Sequence, residues 1–555
     1  MVQLERLEVA GFRGLRLAVE LSHTTLFIGE SRAGKSTVLE VLERCLGVRA
    51  TPEAPFLADD FRSGAIEVVL EFSCERAEGA LEELAWRRRR RDHVALRVRA
   101  EPGKRACWAF VDADRQVVIE PAPEPLRDRL RALHPVLLLS SDRFLAAGRG
   151  ADDPPSRRGR DELFARVFLR RGALATGELE EGFEALRKLL AEDAPRPEQG
   201  KSTRRMMREI VDAPGRMRAL RGGDGVDLRS AGAQSLALFL LVSWLLEVRG
   251  GQAIEEGAEA ILAIEEPELH LHPIVVASLW GLLELLPAQK LITTNSPALL
   301  GAAPLHSLRR LRREDGLVRV YGLRKGAFDL DELRRVGFHL RLERSASLFA
   351  RCWLLVEGES EVWLLPELAR LCGVVFPSEG IECISFAQCG LVPIVRLADA
   401  LGIAWHLLAD GDEAGGYYAR LAREQLDGRP EAERITRLDR RDIEHFMWHN
   451  GYEELYRAAA RGKPRPGERR KERRRRRRRG SGRDPTAVIR RALHKSSKPE
   501  MALRVAIAAA NPDGPGVPPL LRELVARTAA LARAQAGGYG EELSESVKGA
   551  QGRSG

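Results

Sequence analysis

The stretch LLVEGESE, residues 354–361, decides the fold of the second half of this 555-residue chain. Its leading apolar residues predict a buried strand, because a parallel strand covered on both faces needs no polar alternation. The strand ends on Glu357, Gly358 turns the chain, and Glu361 lies one turn into a helix predicted over residues 360–372. Two carboxylates at the carboxyl end of a strand suit a divalent cation, which prefers oxygen ligands. The alternative is a solvated acidic helix start, where acids are favoured anyway.

A second acidic stretch, DGDEAGG at residues 410–416, follows another predicted strand, residues 405–409. Asp410 and Asp412 stand at alternate positions of an extended segment, so both side chains can face one cation. Glycines on both sides allow the backbone to approach closely. The two acidic stretches together predict a site for Mg²⁺ or Mn²⁺, because an all-oxygen ligand set suits these ions and not zinc.

The first half of the chain opens with a predicted strand, residues 24–28, that leads into GESRAGKST at residues 29–37. This is the P-loop pattern in its required context, with a strand before it and a helix after it. The glycines let backbone N–H groups surround the phosphates of ATP, the lysine reaches the β- and γ-phosphates, and the serine hydroxyl reaches magnesium. The residues predicted to bind nucleotide here are Gly29, Gly34, Lys35, Ser36 and Thr37.

An apolar strand predicted over residues 260–264 leads into EEPELHLHP, residues 265–273. In a chain with a P-loop, such a strand followed by two acids looks like a Walker B segment. Glu265 would face the magnesium ion, and Glu266 would orient or deprotonate the attacking water. The two histidines of this stretch do not complete a zinc shell, so a metal site there is disfavoured.

The stretch LRSAGAQS, residues 228–235, opens a long apolar helix and resembles the signature loop of ABC-type ATPases. Ser230, Gly232 and Gln234 would then contact the nucleotide bound by a second protomer, which implies a homodimer. The alternative is a simple helix cap formed by the serine. ABC-type ATPases usually carry a histidine where Asn295 stands, and asparagine can hydrogen-bond phosphate or water but cannot become a cation.

The motifs in this order resemble an ABC-type ATPase interrupted by a charged, helical stretch at residues 158–220, a possible dimerisation module. We therefore expect the ATPase domain to consist of residues 1–157 and 221–345. No clear glutamine-bearing loop follows the P-loop helix, and DDF at residues 59–61 is the candidate replacement.

The net charge of +9 is concentrated in residues 461–483, which hold 14 Arg or Lys and two Glu. Such a run is a solvated loop or a nucleic-acid tether, and we favour the tether because clustered arginines bind phosphate without sequence preference. Arg87–Arg91, expected between a short helix and a strand, is weaker evidence of the same kind. The longest apolar run, residues 236–248, is too short to span a membrane, and the scattered cysteines favour a cytoplasmic location without membrane contact.

An ABC-type ATPase in front of a Toprim metal site resembles the OLD (overcoming lysogenisation defect) family of ATP-dependent nucleases. The resemblance covers about residues 1–530, through GESRAGKS, SAGAQ, ILAIEEPELHLHP, LLVEGESE and LLADGDEAGG. It implies an α/β protein, with an N-terminal mixed or parallel sheet followed by a Toprim domain at residues 350–530. The remaining tail, residues 531–555, is expected to be disordered.

The resemblance also implies roles for individual residues. Glu357 would be the general base or a bridging ligand. A lysine would stabilise the transition state, and Lys498 matches the lysine-bearing segment of the family better than Lys495. The implied metal ligands are Glu357, Glu361, Asp410 and Asp412, with Glu444 as an auxiliary ligand.

The predicted function is an ATP-binding and ATP-hydrolysing, metal-dependent DNA endonuclease in phage defence or DNA repair, with a helicase or another defence protein as a possible partner. The alternative is an ATP-driven DNA clamp whose Toprim site is inactive. A primase- or topoisomerase-like enzyme ranks last, because the chain has no zinc-ribbon cysteines and no tyrosine in a winged-helix context.

Overall fold

The computed structural model describes residues 3–139 except 48–49, 63 and 78, and residues 259–536 except 270–275, 277–279, 281–282, 284–287, 315, 325, 339, 341–343 and 462–483. The helical stretch predicted at residues 158–220, the candidate signature loop with Ser230, Gly232 and Gln234, and nearly all of the Arg-rich segment lie outside these residues. The chain divides into two compact units, Met1–Gly322 and Leu323–Gly555.

The first unit contains two sheets and a few helices. Its strands are β1 Gln3–Ala10, β2 Arg16–Glu20, β3 Thr24–Gly29, β4 Ile66–Cys74, β5 Trp86–Arg88, β6 Arg91–Ala100, β7 Cys107–Val111, β8 Val117–Ile119, β9 Val136–Leu139, β10 Ile261–Glu265, β11 Gln289–Thr293, β12 Leu308–Glu314 and β13 Leu317–Tyr321. Its helices are α1 Lys35–Leu46, α2 Glu124–Leu133 and α3 Pro297–Ala302.

An antiparallel sheet runs in the order β2-β1-β4-β6-β7-β8, with β5 paired to β6. Strands β1 and β2 alternate between buried and more exposed residues, as expected where one face of a sheet packs on the core. Leu7 and Val9 of β1 are buried in the main apolar cluster of this unit. Arg6 precedes Leu7, and Glu8 lies between Leu7 and Val9. Both side chains point to the opposite face, which therefore carries charge.

The second sheet has the order β13-β12-β3-β11-β10-β9, and all of its pairs are parallel except β12 with β13. Strand β11 lies between β3 and β10, with Thr293 opposite both Phe27 and Glu265. The polar ends of these three strands consequently meet at one edge of the sheet. Helix α1 contributes its buried apolar face to the same core.

The second unit is built around the parallel sheet β15-β14-β16-β17. Its strands are β14 Cys352–Val356, β15 Ile381–Ser385, β16 Ala404–Ala409 and β17 Ile435–Arg437. Every residue of β14 is 0% exposed, as a central strand covered on both faces requires. Its helices are α4 Leu330–Gly337, α5 Glu359–Leu371, α6 Phe376–Glu379, α7 Leu391–Ala400, α8 Glu413–Glu424, α9 Glu431–Arg434, α10 Ile443–Met447, α11 Glu453–Arg461, α12 Pro485–Lys495, α13 Lys498–Ala510 and α14 Pro519–Ala534.

The α/β class predicted from the sequence is confirmed, and the strands that carry the motifs lie within a few residues of their predicted bounds. Two features were not predicted from the sequence. The basic run is preceded by a short 3-10 helix, Gly79–Leu81, as expected, but Trp86–Arg88 is a strand paired with β6, so the run forms a hairpin. Helix α14 continues to Ala534, into the stretch expected to be a disordered tail. No helix among the described residues is long and apolar enough to cross a membrane.

Candidate functional site

The P-loop connects β3 to α1, and two of its glycines occupy conformations that other residues rarely adopt. Gly29 has φ +146°, and a Cβ there would lie 2.4 Å from the Leu311 carbonyl oxygen. Gly34 caps α1 with φ +99°, and its Cβ would lie 2.9 Å from Leu15 Cδ1. Neither position can hold a side chain without a shift, which explains why glycine stands at both.

Lys35 begins helix α1 and is only 7% exposed. Its Nζ donates to the carbonyl oxygens of Gly29 at 2.8 Å and Glu30 at 3.2 Å. Burial lowers the pKa of Lys35, while the charges of Glu266, Glu268 and Glu30 act in the opposite direction. Ser36 and Thr37 follow in the first helical turn and are half-buried.

The acidic end of β10 lies beside the polar end of β11. Glu265 is the last residue of β10, and Glu266 has a positive φ of 42°. Asn295 Nδ2 donates to Glu266 Oε1 at 2.5 Å, so the residue that replaces the expected histidine contacts the predicted water-orienting acid. Burial raises the pKa of Glu266, and Glu268 adds to the effect while Lys35 and Asn295 oppose it.

Glu268 is a residue of this site that the sequence motifs did not single out. Its Oε1 accepts hydrogen bonds from Thr294 Oγ1 at 2.8 Å and from the Asn295 backbone N–H at 2.7 Å. It thereby joins the loop after β10 to the end of β11. The only available signal was its place two residues after Glu266 in the EEPE segment.

Asp60, from the candidate replacement for the glutamine-bearing loop, is fully buried. Its carboxylate pairs with Arg13 at 2.7 Å and Arg44 at 3.2 Å. The carboxylate is thus engaged within the fold, which assigns it a structural role in holding this loop.

In the second unit, Glu357 ends the buried strand β14 and Gly358 caps α5. A Cβ at Gly358 would lie 3.1 Å from Glu361 Oε2. The glycine therefore leaves room for the carboxylate of Glu361, which is only 5% exposed, beside the end of the strand.

The loop after β16 is held by contacts that explain its glycines. The Gly411 N–H donates to the Arg440 carbonyl oxygen at 2.9 Å, and a Cβ at Gly411 would lie 2.2 Å from that oxygen. A Cβ at Gly415 would lie 2.1 Å from the carbonyl oxygen of Asp410. Asp412 caps α8 by accepting from the Gly415 N–H at 2.9 Å. These close approaches fix the backbone that carries both aspartates.

Arg437 adds a further restraint on the same loop from the end of β17. Its Nη2 donates to the carbonyl oxygens of Gly411 at 2.9 Å and Asp412 at 3.0 Å. The guanidinium thus bonds the backbone of the loop and leaves the aspartate side chains to other partners.

The predicted metal ligands form what we call the acidic cluster: Glu357, Glu361, Asp410, Asp412 and Glu444. Burial raises the pKa of Asp410 to about 8, and the charges of Glu361 and Glu357 contribute to this rise. Burial also raises the pKa of Glu361 to about 7, with a further contribution from Glu444. The pKa of Glu357 is raised as well, by burial and by Asp412. Burial and the neighbouring carboxylates thus both disfavour the ionised forms of these three residues.

Glu444 joins the cluster from helix α10 and is 7% exposed. Its Oε1 accepts a hydrogen bond from Ser360 Oγ at 2.7 Å, which connects α10 to the start of α5. Asp442 was missed in the sequence, although its charge contributes to the raised pKa of Asp410. It caps α10 and lies 2.6 Å from His445 Nδ1. Its position just before the IEHF segment was the only sequence signal.

The two candidate lysines have different surroundings. The positive charge of Lys498 lowers the pKa values of Glu357 and Glu361 against the larger effect of burial, so it acts on the acidic cluster. Lys495 Nζ instead donates to the carbonyl oxygens of Ala460 at 2.7 Å and Arg461 at 2.9 Å, at the end of α11. The charge of Lys498 thus bears on the acidic cluster, whereas Lys495 is engaged at the end of α11.

The donor set of the acidic cluster fits a hard divalent cation. Glu357 Oε2 is buried without a hydrogen-bond partner, so one carboxylate oxygen is left for another ligand. In the arrangement described, no three His, Cys, Asp or Glu side chains of the described residues converge closely enough to hold a metal ion. The carboxylates as described therefore do not form a complete metal shell.

Two family models match this chain. Residues 348–412 match the model of the Toprim domain of proteins like the overcoming lysogenization defect protein. That segment includes Glu357, Glu361, Asp410 and Asp412 but ends before Glu444 and Lys498. It confirms the predicted OLD resemblance and defines the second unit as an α/β domain of Toprim type. Residues 2–347 match the model "Protein of unknown function (DUF2813)", and the chain belongs to this family.

A similar protein is "Uncharacterized protein YbjD" of Escherichia coli (strain K12), 34% identical over 587 residues that cover 96% of this chain and 100% of the relative. Among solved structures, the SMC head domain from Thermotoga maritima matches with 12% identity, 58% of this chain, 99% of the other and a TM-score of 0.30. The C-terminal region of the Xanthomonas campestris pv. campestris OLD protein matches with 18% identity, 34% and 98% coverage and a TM-score of 0.28.

Proposed function

We propose that this protein is an ATP-binding, divalent-metal-dependent endonuclease that hydrolyses phosphodiester bonds of DNA. The observation that carries the proposal is the acidic cluster at the carboxyl ends of β14 and β16, with Lys498 acting on it. An excess of buried carboxylates with one cationic side chain suits a substrate that is itself an anion held beside metal ions.

The residues of the acidic cluster would have different roles in the reaction. Glu357, Glu361, Asp410, Asp412 and Glu444 would hold Mg²⁺ or Mn²⁺, which when bound activates water and stabilises charge on the phosphate. Glu357 has a raised pKa and an unpartnered Oε2, which suits it to accept a proton from water. Lys498 Nζ would stabilise the negative charge that develops on the phosphate oxygens.

The first unit would supply the response to ATP. The P-loop amides and Lys35 would bind the phosphates, and Glu265 would face magnesium. Glu266 would orient the attacking water while Asn295 holds its carboxylate. An ATP-dependent homodimer follows from the resemblance of the candidate signature loop to that of ABC-type ATPases.

The test is cleavage of supercoiled plasmid by the purified full-length protein with Mg²⁺ or Mn²⁺. Glu357→Gln should reduce the rate on the order of 10³-fold, because it removes both a ligand and the proton acceptor. The matched control is Glu359→Gln, which changes an exposed acid two residues further on, at the start of α5, and should leave the rate unchanged. Equal rates for Glu357→Gln and wild type would refute the assignment.

The same experiment examines the alternative function as an ATP-driven DNA clamp. A clamp predicts ATP-dependent retention of closed circular DNA with no cleavage by wild type or variant in either metal. The raised pKa values of the cluster favour the nuclease, since carboxylates of an idle site gain nothing from being buried together.

A further inference from the structure

The charged face of the antiparallel sheet in the first unit forms a cavity of about 570 Å³ that the proposed ATPase and nuclease functions do not use. Its wall comes from β1, β4, the β5–β6 hairpin and the turn before β8. Arg6, Glu8 and Glu71 point away from the main apolar core, because they alternate with residues of β1 and β4 that belong to it. The lining residues are Arg6, Glu8, Glu71, Trp86, Arg87, Arg88, Ala113, Asp114 and Arg115.

The charges at the floor of this cavity largely balance one another. Arg115 Nη2 bonds Glu8 at 2.8 Å and Glu71 at 2.7 Å, and Arg6 bonds Glu8 at 2.7 Å. One donor remains, because Arg115 Nη1 is buried without a hydrogen-bond partner. The floor therefore contributes shape more than net charge.

The rim is different, because the β5–β6 hairpin presents a surplus of positive charge. Arg87 and Arg88 are 65% and 53% exposed, and their nearest carboxylates lie 3.5 and 4.0 Å away. Arg89 and Arg90 form the two-residue turn and are also exposed. Such loosely paired surface arginines keep most of their charge available to a ligand.

The hairpin also has a defined shape. Arg89 and Arg90 have φ of +50° and +69°, the backbone of a type I′ turn, which Asn-Gly would favour over two arginines. Trp86 fixes the base of the hairpin by packing on the apolar patch Val69, Ala95 and Val111. The arginines are thus held on a stable sheet and not on a mobile loop.

We infer that the β5–β6 hairpin and its cavity bind the phosphodiester backbone of a polynucleotide without sequence preference. Consecutive exposed arginines on a rigid hairpin can each contact a separate phosphate, and every contact releases counterions. This binding does not require the acidic cluster to be active, so it can be tested independently of DNA cleavage. An acidic protein segment is the competing ligand.

The test replaces the turn by the residues that its backbone prefers. Arg89→Asn with Arg90→Gly removes two charges and relieves the positive-φ conformation, so the melting temperature should stay the same or rise. The matched control, Arg99→Gln with Lys104→Gln, removes two exposed charges at the opposite end of β6. The Arg-rich segment is unchanged in all three proteins.

Binding is measured in EDTA with a DNA duplex and an RNA duplex of equal length, by fluorescence anisotropy between about 50 and 200 mM KCl. The turn variant should lose about tenfold in affinity at 0.1 M salt, and its slope of log K against log salt should fall by about 2. The control should match wild type. The two duplexes tell DNA from RNA as the ligand.

Three results would overturn the inference: no binding of either duplex by wild type, unchanged affinity and slope in the turn variant, or an equal loss in the control. Arginine-dependent binding of polyglutamate without nucleic-acid binding would assign the surface to a protein partner instead. Because no metal is present, failure of the nuclease proposal would leave all of these results unaffected.

Discussion

The two units place carboxylates at the carboxyl ends of parallel strands, but they balance this charge in different ways. In the first unit, Glu266 accepts a hydrogen bond from Asn295 and lies within the influence of Lys35. In the second unit, Glu361 and Asp410 lie among other carboxylates, and their pKa values rise to about 7 and 8. In the proposed function, the same edge of a sheet would therefore serve an anionic ligand in one unit and a cationic ligand in the other.

The largest effect that bears on this comparison is expected from replacing Lys498, the lysine whose charge acts on the acidic cluster of the second unit. Lys498→Met should lower the rate of plasmid cleavage by about 10²- to 10³-fold, as loss of a group that stabilises transition-state charge does elsewhere. Lys495→Met is the matched control and should keep the rate while lowering the melting temperature, because two helix-end carbonyls lose their donor. Equal losses of rate would contradict the division of roles between the two lysines.

In the first unit the corresponding change is Lys35→Ala. We expect it to weaken ATP binding by roughly a hundredfold, since charge-assisted hydrogen bonds to phosphate contribute about 2–3 kcal/mol. Titration calorimetry with a non-hydrolysable ATP analogue and Mg²⁺ measures the effect, and Lys104→Ala, on an exposed loop of the same unit, is the control. Unaltered affinity in Lys35→Ala would refute the P-loop assignment.

A smaller effect is expected from Asn295→Ala. Removing the Nδ2 donor should slow ATP hydrolysis by about tenfold while ATP affinity changes little, because the lost hydrogen bond contributes about 1 kcal/mol. That hydrogen bond opposes the rise in the pKa of Glu266, so the acidic limb of the pH–rate profile should move to higher pH. An unchanged profile would mean that Asn295 does not position Glu266.

The smallest expected effect is on thermal stability, as a shift of a few degrees in the melting temperature. In EDTA, the ionised forms of Glu361 and Asp410 are disfavoured in the folded state, whereas in the unfolded chain they ionise near pKa 4.5 and 3.8. Their contribution to stability should therefore fall as the pH rises from about 4 to 8. Mg²⁺ should reverse part of this loss at pH 8, because a ligand that binds only the folded state stabilises it.

Scanning calorimetry of wild type and Asp410→Asn, each with EDTA and with Mg²⁺, measures this difference. The comparison is needed because His134 and His406 act in the opposite sense: burial lowers both pKa values to about 4, so acidification below pH 6.5 destabilises the fold. Both proteins share these histidines. If the melting temperatures of the two proteins depend on pH in the same way, the raised pKa of Asp410 does not contribute to the pH dependence of stability.

Much of this architecture could be predicted from local sequence. A continuous apolar run followed by an acid identified β14 with Glu357, and the glycine pattern identified the P-loop, because both signals depend on neighbouring residues. Asp442 could not be found in this way. Its charge acts on Asp410 because β17 and the turn after it return the chain to the loop after β16, which no local spacing in the sequence records.

The choice between the two lysines shows the same limit. Lys495 and Lys498 are three residues apart, and the sequence ranked Lys498 first only through its resemblance to the lysine-bearing segment of the family. Only the return of α11 beside α12 supplies the carbonyl oxygens that bind Lys495. Glu268 likewise became recognisable only when β11 placed Thr294 and Asn295 beside it.

The complete burial of β14 has a consequence for the order in which the site would be lost on heating. Its backbone amides are paired on both sides, by β15 and β16, so they should be among the slowest to exchange with deuterium. Glu357 is attached directly to this strand, whereas Asp410 and Asp412 depend on a loop that Arg437 and Arg440 hold from the sheet edge. Local opening should consequently release the aspartates first, while Glu357 stays in place until the whole domain unfolds.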